Sequence, residues 1–425
     1  MTSLLPATRL WIREVGAKRA GGVKVRESSV DWRLEANGIR DVLVSDRRWL
    51  HQHPEIGFDL DATCDYVRNA LTEMGYEVSE PCKSGLLCSV GSEEEGPCIL
   101  LRADMDALPM SERTGLAFAS SNGNMHSCGH DMHTAMMLGV ARLLRAHEES
   151  LHGCIKLLFQ PDEEATAPVD TTGGAAVVEG GVLDGPHVDA AVSVHVNPAF
   201  PVGELYIRPG TMFSSVDDVE IRVQGRSSHG SEPQRGVDAL NVACHVFLGL
   251  ENLVAREFAP GEKAPLTIGR MSAGSAANIL PGDAEMLGTL RTVSEEVRAR
   301  VFERVPALCD GIARGFGATA EARFLRPAPT TQNDPTLLNE LSGYLEQAGM
   351  HPHDLPEPFA GSDDFGVISQ RVPSVYFILG ASIGEPEETP THMLHNPNVL
   401  INEDALPAGV ATLCECAADF LEARG

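Results

Sequence analysis

Cys98-Ile-Leu-Leu-Arg102 is a short apolar run, Met132–His147 is small or apolar on most faces, and Cys154-Ile-Lys-Leu-Leu-Phe159 is apolar again. Short apolar runs bounded by polar residues read as buried strands, and the longer segment between them reads as a helix. Ala190-Ala-Val-Ser-Val194 adds a third strand. Strands alternating with helices point to an α/β fold with a mixed, mostly parallel sheet and helices on both faces. Working outward, Val42–Leu50 reads as a helix broken by His51-Gln52-His53-Pro54-Glu55, and Asp61–Met74 as a helix that Gly75 ends. After Gly203 the texture changes. Val216–Val223 alternates polar and apolar residues, Leu266–Met271 and Asp283–Thr292 read as further strands, and Ala239–Glu257 and Glu295–Gly315 as long helices. That combination describes a small α+β domain set into the larger one, with the α/β pattern returning near Phe324. The expected organisation is an N-terminal extension (1–40), a discontinuous α/β domain (41–207 and 325–425) and an insert (208–324).

The chain has 425 residues, 43% hydrophobic and 22% charged, a globular composition. Lys plus Arg is 33 against 60 for Asp plus Glu, a net charge of −27. So acidic a surface repels phosphate backbones and anionic membranes, which argues against nucleic acid and membrane partners. No apolar run reaches the roughly 18 residues that a membrane helix needs. Ten cysteines are scattered from Cys64 to Cys416, and a chain this long needs no covalent staples. Reduced thiols in a cytoplasmic protein are expected. The first forty residues carry eight basic side chains (Arg9, Arg13, Lys18, Arg19, Lys24, Arg26, Arg33, Arg40) and four acidic ones. They lack the apolar core of a secretory signal, and the acidic residues count against a transit peptide. A loosely attached extension, or a start codon placed too early, is the expected reading.

Four stretches carry chemistry. Met125-His126-Ser127-Cys128-Gly129-His130-Asp131-Met132-His133 precedes a helix, where a thiolate and an imidazole two positions apart are good ligands for a borderline metal. A Cys-Gly-His alone is equally a loop packed on an apolar cysteine. Phe159-Gln-Pro-Asp-Glu-Glu164 ends a strand at the sheet edge where ligands bind, although an isolated Glu-Glu is usually a solvated turn. His195 ends the strand Ala190–Val194, and His392-Met-Leu-His395-Asn396-Pro397 lies in a late loop. Each signal is modest alone, but together they bring Cys, His and Glu candidates to matching strand ends.

With Leu101-Arg-Ala-Asp-Met-Asp-Ala-Leu-Pro109, Ser228-His229-Gly230, Asn278-Ile-Leu-Pro281, Gly288-Thr-Leu-Arg291 and Ser362-Asp-Asp-Phe365, these motifs resemble the di-metal aminoacylase/carboxypeptidase family. The nearest branch holds N-acyl-amino-acid amidohydrolases, hippurate hydrolases and auxin-conjugate hydrolases, and the likeness runs from about Asp46 to Leu421. The resemblance implies two divalent ions (Zn²⁺, Mn²⁺ or Co²⁺) on Cys128, His130, Glu164, His195 and His395. It implies orienting roles for Asp104, Asp106 and Asp131, and leaves His126 and His133 structural. A divalent ion lowers the pKa of bound water to about 7, and Glu163 would move the proton to the leaving amine. The insert becomes a ferredoxin-like lid and dimerisation domain, with His229 supporting the oxyanion across a homodimer or higher-oligomer interface and Asn278 and Arg291 binding substrate carboxylate. The implied activity is hydrolysis of N-acyl or N-aroyl amino acids. A carboxypeptidase acting on short peptides, or a non-catalytic metal-binding protein on the same fold, are the alternatives. Two departures stand out: Ala165–Thr172 is longer than the family's Gly-rich loop and could line the acyl pocket, and Asp363-Asp364 replaces Glu-Asp.

Overall fold

The computed structural model describes residues 30–384 and 392–425. Four central strands, in the spatial order Cys154–Gln160, Cys98–Asp104, Ala190–Asn197 and Ser374–Gly380, run parallel. All four are buried along their whole length. Sandwiched strands have no solvent face to mark with polar residues, so they read as continuous apolar runs. Leu86–Gly91 closes one side antiparallel to Cys154–Gln160. On the other side Leu205–Ile207 runs antiparallel to Ser374–Gly380 and parallel to His353–Asp354, which completes seven strands. His130–Ala146 and Leu406–Glu422 pack together on one face. Val177, Val178, Phe365 and Ile368 cover the other, around Leu100, Leu158 and Tyr376.

Gly129 decides where the helix His130–Ala146 begins. Its φ is +91°, and a Cβ there would stand 2.5 Å from Val196 Cγ2. Only glycine lets the Cys128–His130 turn close against the strand carrying His195.

Trp32–Gly38 is helical, with Trp32 and Ala36 buried, and it packs on Leu406–Glu422. The folded body therefore begins before residue 41; the basic residues from Arg9 to Arg26 lie outside the described residues. The insert's sheet has the order Thr319–Ala328, Val216–Gln224, Asp283–Leu290, Leu266–Ala273, antiparallel throughout. With helices Ala239–Glu257 and Glu295–Gly315 this is a ferredoxin-like βαββαβ arrangement. Val219, Ile221 and Val223 meet Val242, Val246, Val301 and Val305 in its core. Phe324 stacks on Phe302 at 4.0 Å, so the expected border at 324/325 falls inside a strand of the insert. Phe324 faces this smaller core rather than announcing the return of the larger one. Among the described residues no helix is long and apolar enough to cross a membrane.

Candidate metal centre

The parallel register places Asp104 beside Gln160 and Ile378 beside His195, so the carboxyl ends of the central strands share one edge. Side chains just beyond those ends converge there. Asp106 holds the turn after Gln160: its Oδ1 accepts the Glu163 N–H at 3.1 Å and its Oδ2 the Glu164 N–H at 3.2 Å. Asp162 and Ala165, with φ of +46° and +50°, bend the chain sharply on either side of the two glutamates.

Cys128 Sγ lies 3.4 Å from His195 Nε2 and 3.2 Å from His395 Nε2. His395 Nε2 is 3.1 Å from Glu164 Oε1, and His130 Nε2 is 3.7 Å from Glu163 Oε2. Donor atoms of Cys128, His130 and His195 lie within 4.8 Å of one another, as do those of Cys128, Glu164 and His395 and those of His130, Glu163 and Glu164. Two ligands bound at about 2.0–2.3 Å to one ion stand roughly 3–4 Å apart, so this spacing fits shared cations. The histidines are oriented for it. His130 Nδ1 donates to the Asp106 carbonyl at 2.8 Å, and its buried Nε2 has no hydrogen-bond partner among the described residues. His195 Nδ1 donates to the Val196 carbonyl at 2.7 Å, which turns its Nε2 lone pair towards Cys128.

Charge says the same. Burial, with Asp363 and Glu164 nearby, pushes the Glu163 carboxyl well above its ordinary range. Burial, Glu164 and Glu163 push the Cys128 thiol well up. Burial opposes the charge on His130, but Asp104 and Asp106 outweigh it and lift the imidazole to about 10. Anionic donors crowded together in a dry site call for cations, which reverse these shifts.

His133 is fully committed: Nδ1 meets Asp104 Oδ1 at 2.6 Å and Nε2 accepts the Val196 N–H at 3.0 Å. His126 is buried and belongs to none of the donor groups among the described residues. Arg102 is a hub that its motif did not reveal. Its Nε donates to Gln160 Oε1 at 2.9 Å, and its two terminal nitrogens to Asp104 Oδ2 at 2.6 Å and Asp364 Oδ1 at 2.9 Å. Asp364 also accepts the Gly174 N–H at 2.6 Å, and Asp363 accepts the Tyr376 hydroxyl at 2.5 Å. The Asp363-Asp364 pair is thus a brace between loop and sheet. The one signal for Arg102 was a charge inside an apolar strand.

A cleft of about 590 Å³ opens over the donors and reaches Arg291, whose guanidinium donates to the Ala360 carbonyl at 3.3 Å. Phe213 and Phe359 form an apolar wall. His229 and Asn278 do not line this cleft. His229 pairs with Ile279 in a two-residue ladder, is exposed, and accepts a bond from the Ser231 N–H at 3.1 Å. The Asn278 carbonyl accepts the Gly230 N–H at 2.8 Å. Of the long loop, only Ala165 and Thr172 reach the cleft. Ala167, Pro168 and Val169 line a separate cavity of about 450 Å³ with Ile56 and Phe58, so the loop as a whole does not wall an acyl pocket.

Behind the centre, Asp131 Oδ2 accepts Arg47 Nε at 2.7 Å and His51 Nδ1 at 2.8 Å, and His51 Nε2 reaches Glu112 Oε1 at 3.1 Å. Burial would raise the Glu112 carboxyl, but bonds from His51, Thr114 and the Ser120 N–H hold it at about 2 instead of 4.5. A depressed pKa stabilises the fold above the unfolded value and is lost as pH falls through the folded one. Glu112→Gln should therefore flatten the acid limb of the stability profile between pH 4.5 and about 2, measured by urea unfolding. An unchanged limb would deny the pairing.

A free carboxylate beside a set of cation donors, at the carboxyl edge of a parallel sheet, is the equipment of a metallohydrolase. Comparison supplies the family: residues 100–419 match peptidase family M20/M25/M40, and the chain belongs to it. N-acetylcysteine deacetylase of Bacillus subtilis is 35% identical over 386 residues, covering 89% of this chain and 97% of that protein. Thermostable carboxypeptidase 1 of Saccharolobus solfataricus is 32% identical, covering 90% and 96%. A solved Bacillus subtilis structure, described as a dinuclear metal binding peptidase from the M20 family, matches with TM-score 0.75 and 34% identity over 91% of this chain and 99% of that one. The chain is a hydrolase of amide and peptide bonds.

Proposed function

We propose that this chain hydrolyses the amide bond of N-acyl or N-aroyl amino acids, releasing a carboxylate and a free amino acid. Cys128, His130, Glu164, His195 and His395 would hold two divalent ions, Zn²⁺, Mn²⁺ or Co²⁺, the thiolate favouring Zn²⁺. Bound there, the ions supply Lewis acidity and acidify water. The observation that carries the reading is Glu163: its carboxylate borders the donor set, while its backbone N–H is pinned by Asp106 at 3.1 Å. Glu163 takes a proton from the attacking water and delivers it to the amide nitrogen as the C–N bond breaks. Arg291 grips the substrate carboxylate.

His229 and Asn278 lie away from this chain's own cleft, so a role for His229 at the oxyanion and for Asn278 at the substrate carboxylate requires a second copy to present them. We therefore read the insert as a lid and dimer-forming domain and the protein as a cytoplasmic homodimer or higher oligomer. A second reading, carboxypeptidase action on short peptides, draws support from the similarity to thermostable carboxypeptidase 1. A purely metal-binding role leaves Glu163 without purpose.

The test is a panel of N-acetyl, N-benzoyl and long-chain N-acyl amino acids and dipeptides, each with Zn²⁺, Mn²⁺ or Co²⁺. Hydrolysis of acyl amino acids that a chelator abolishes and metal restores is the expected result. Cleavage of dipeptides alone would favour the second reading. Silence across the panel from protein with both ions bound would overturn the proposal.

A further inference from the structure

The turn bearing Glu163 and Glu164 is gripped from two sides. From the sheet, Asp106 binds the two glutamate N–H groups. From the insert, Arg326 binds the next residue: its guanidinium donates to the Ala165 carbonyl at 3.1 Å. Its other terminal nitrogen pairs with Asp218 Oδ2, on the neighbouring strand of the insert. Arg326 lies in Thr319–Ala328, where the pairing with Val216–Gln224 slips between Leu325 and Ala328 and the chain leaves the insert. Its φ of +47° lies in the left-handed region that a bulky residue rarely adopts, and Arg326 lines the same cleft as Ala165 and Asp218.

We infer that Arg326 is a positioning residue that ties the insert to the glutamate turn and so sets the aim of Glu163. The inference rests on reading Glu163 as the proton carrier. The chemistry requires arginine. Two acceptors lie in diverging directions, one a carboxylate and one a carbonyl, and a planar fork serves both at once. A lysine ammonium can keep the charge pair with Asp218 but lacks that rigid two-pronged geometry. Asp218 neutralises the guanidinium, so the contact does not depend on attracting an anionic substrate. Small displacements of a reacting group cost large factors in rate, so a turn held from one side only should be a poorer base without being a poorer binding site.

The test compares Arg326→Lys with Arg323→Lys, a change on the same strand in an exposed pair with Glu321. Steady-state kinetics on an N-acyl amino acid are read beside hydrogen exchange of the peptide spanning 162–166, both on the full metal-loaded chain. Arg326→Lys is expected to lower kcat about tenfold with KM held within about twofold, and to speed exchange in that peptide alone. Arg323→Lys is expected to change neither. Should Arg326→Lys not fold, Asp218→Asn, which loosens the anchor but keeps the guanidinium, should produce the same split at smaller size. Wild-type kcat, or wild-type exchange at 162–166, in a folded Arg326 variant overturns the inference. Absence of hydrolysis by the wild type would instead sink the proposed function, and the exchange measurement would then decide the grip alone.

Discussion

Glu163→Gln lowers kcat on N-acyl amino acids by roughly 10³-fold while the protein keeps its metal. Glutamine preserves the length and shape of the side chain and leaves the Glu163 N–H bonded to Asp106 at 3.1 Å. What it removes is a site for a proton. General acid–base groups contribute roughly 10²–10⁴-fold, and in the proposed mechanism one carboxylate serves both the attack and the departure of the amine. Metal should remain because the five proposed ligands make their own close contacts, Cys128 to His195 and His395 and His395 to Glu164 at 3.1–3.4 Å, whereas Glu163 approaches them only at 3.7 Å from His130 Nε2. Glu164→Gln is the contrasting variant and should lose metal. Rates and metal content on purified proteins decide the matter. A Glu163→Gln enzyme within tenfold of wild type, or one stripped of metal, would exchange or cancel the roles of the two neighbours.

Arg102→Met unfolds at a markedly lower urea concentration, with a loss of about 3–5 kcal/mol. The guanidinium is wholly buried, and its neighbours Asp104, Asp363 and Asp364 are buried with it. Removing one side of a buried ion cluster leaves carboxylates uncompensated, which costs far more than the pairing gained. Arg102→Lys should recover only part of the loss, because one ammonium cannot serve Gln160, Asp104 and Asp364 in their different directions. A midpoint for Arg102→Met within about 0.5 kcal/mol of wild type would mean the brace is not structural.

Sequence and structure agree where one local pattern suffices. Cys98–Asp104, Cys154–Gln160 and Ala190–Asn197 are mostly apolar, broken inside only by residues such as Arg102, Lys156 and Ser193, because both of their faces are covered, and the helices Ala239–Glu257 and Glu295–Gly315 match the periodicity to the residue. What escaped the sequence is long-range. Nothing near Arg102 announces Asp364, which lies 262 positions away, and nothing near Ala165 announces Arg326, 161 positions away. Trp32 looks like part of a basic tail until the Leu406–Glu422 helix on which it packs is in place. Phe324 belongs to the insert because Phe302 faces it, a pairing that no spacing encodes. The donors were legible as residue types at strand ends, but their approach to within 4.8 Å depends on a left-handed Gly129 and on His395 at φ +62°.

The most direct test of the account is anomalous diffraction from crystals of the full chain grown with Zn²⁺, recorded on both sides of the zinc absorption edge. Two peaks should stand in the cleft, within bonding distance of Cys128, His130, Glu164, His195 and His395, with Glu163 facing the space beside them. Peaks elsewhere, or none on those five side chains, would contradict it.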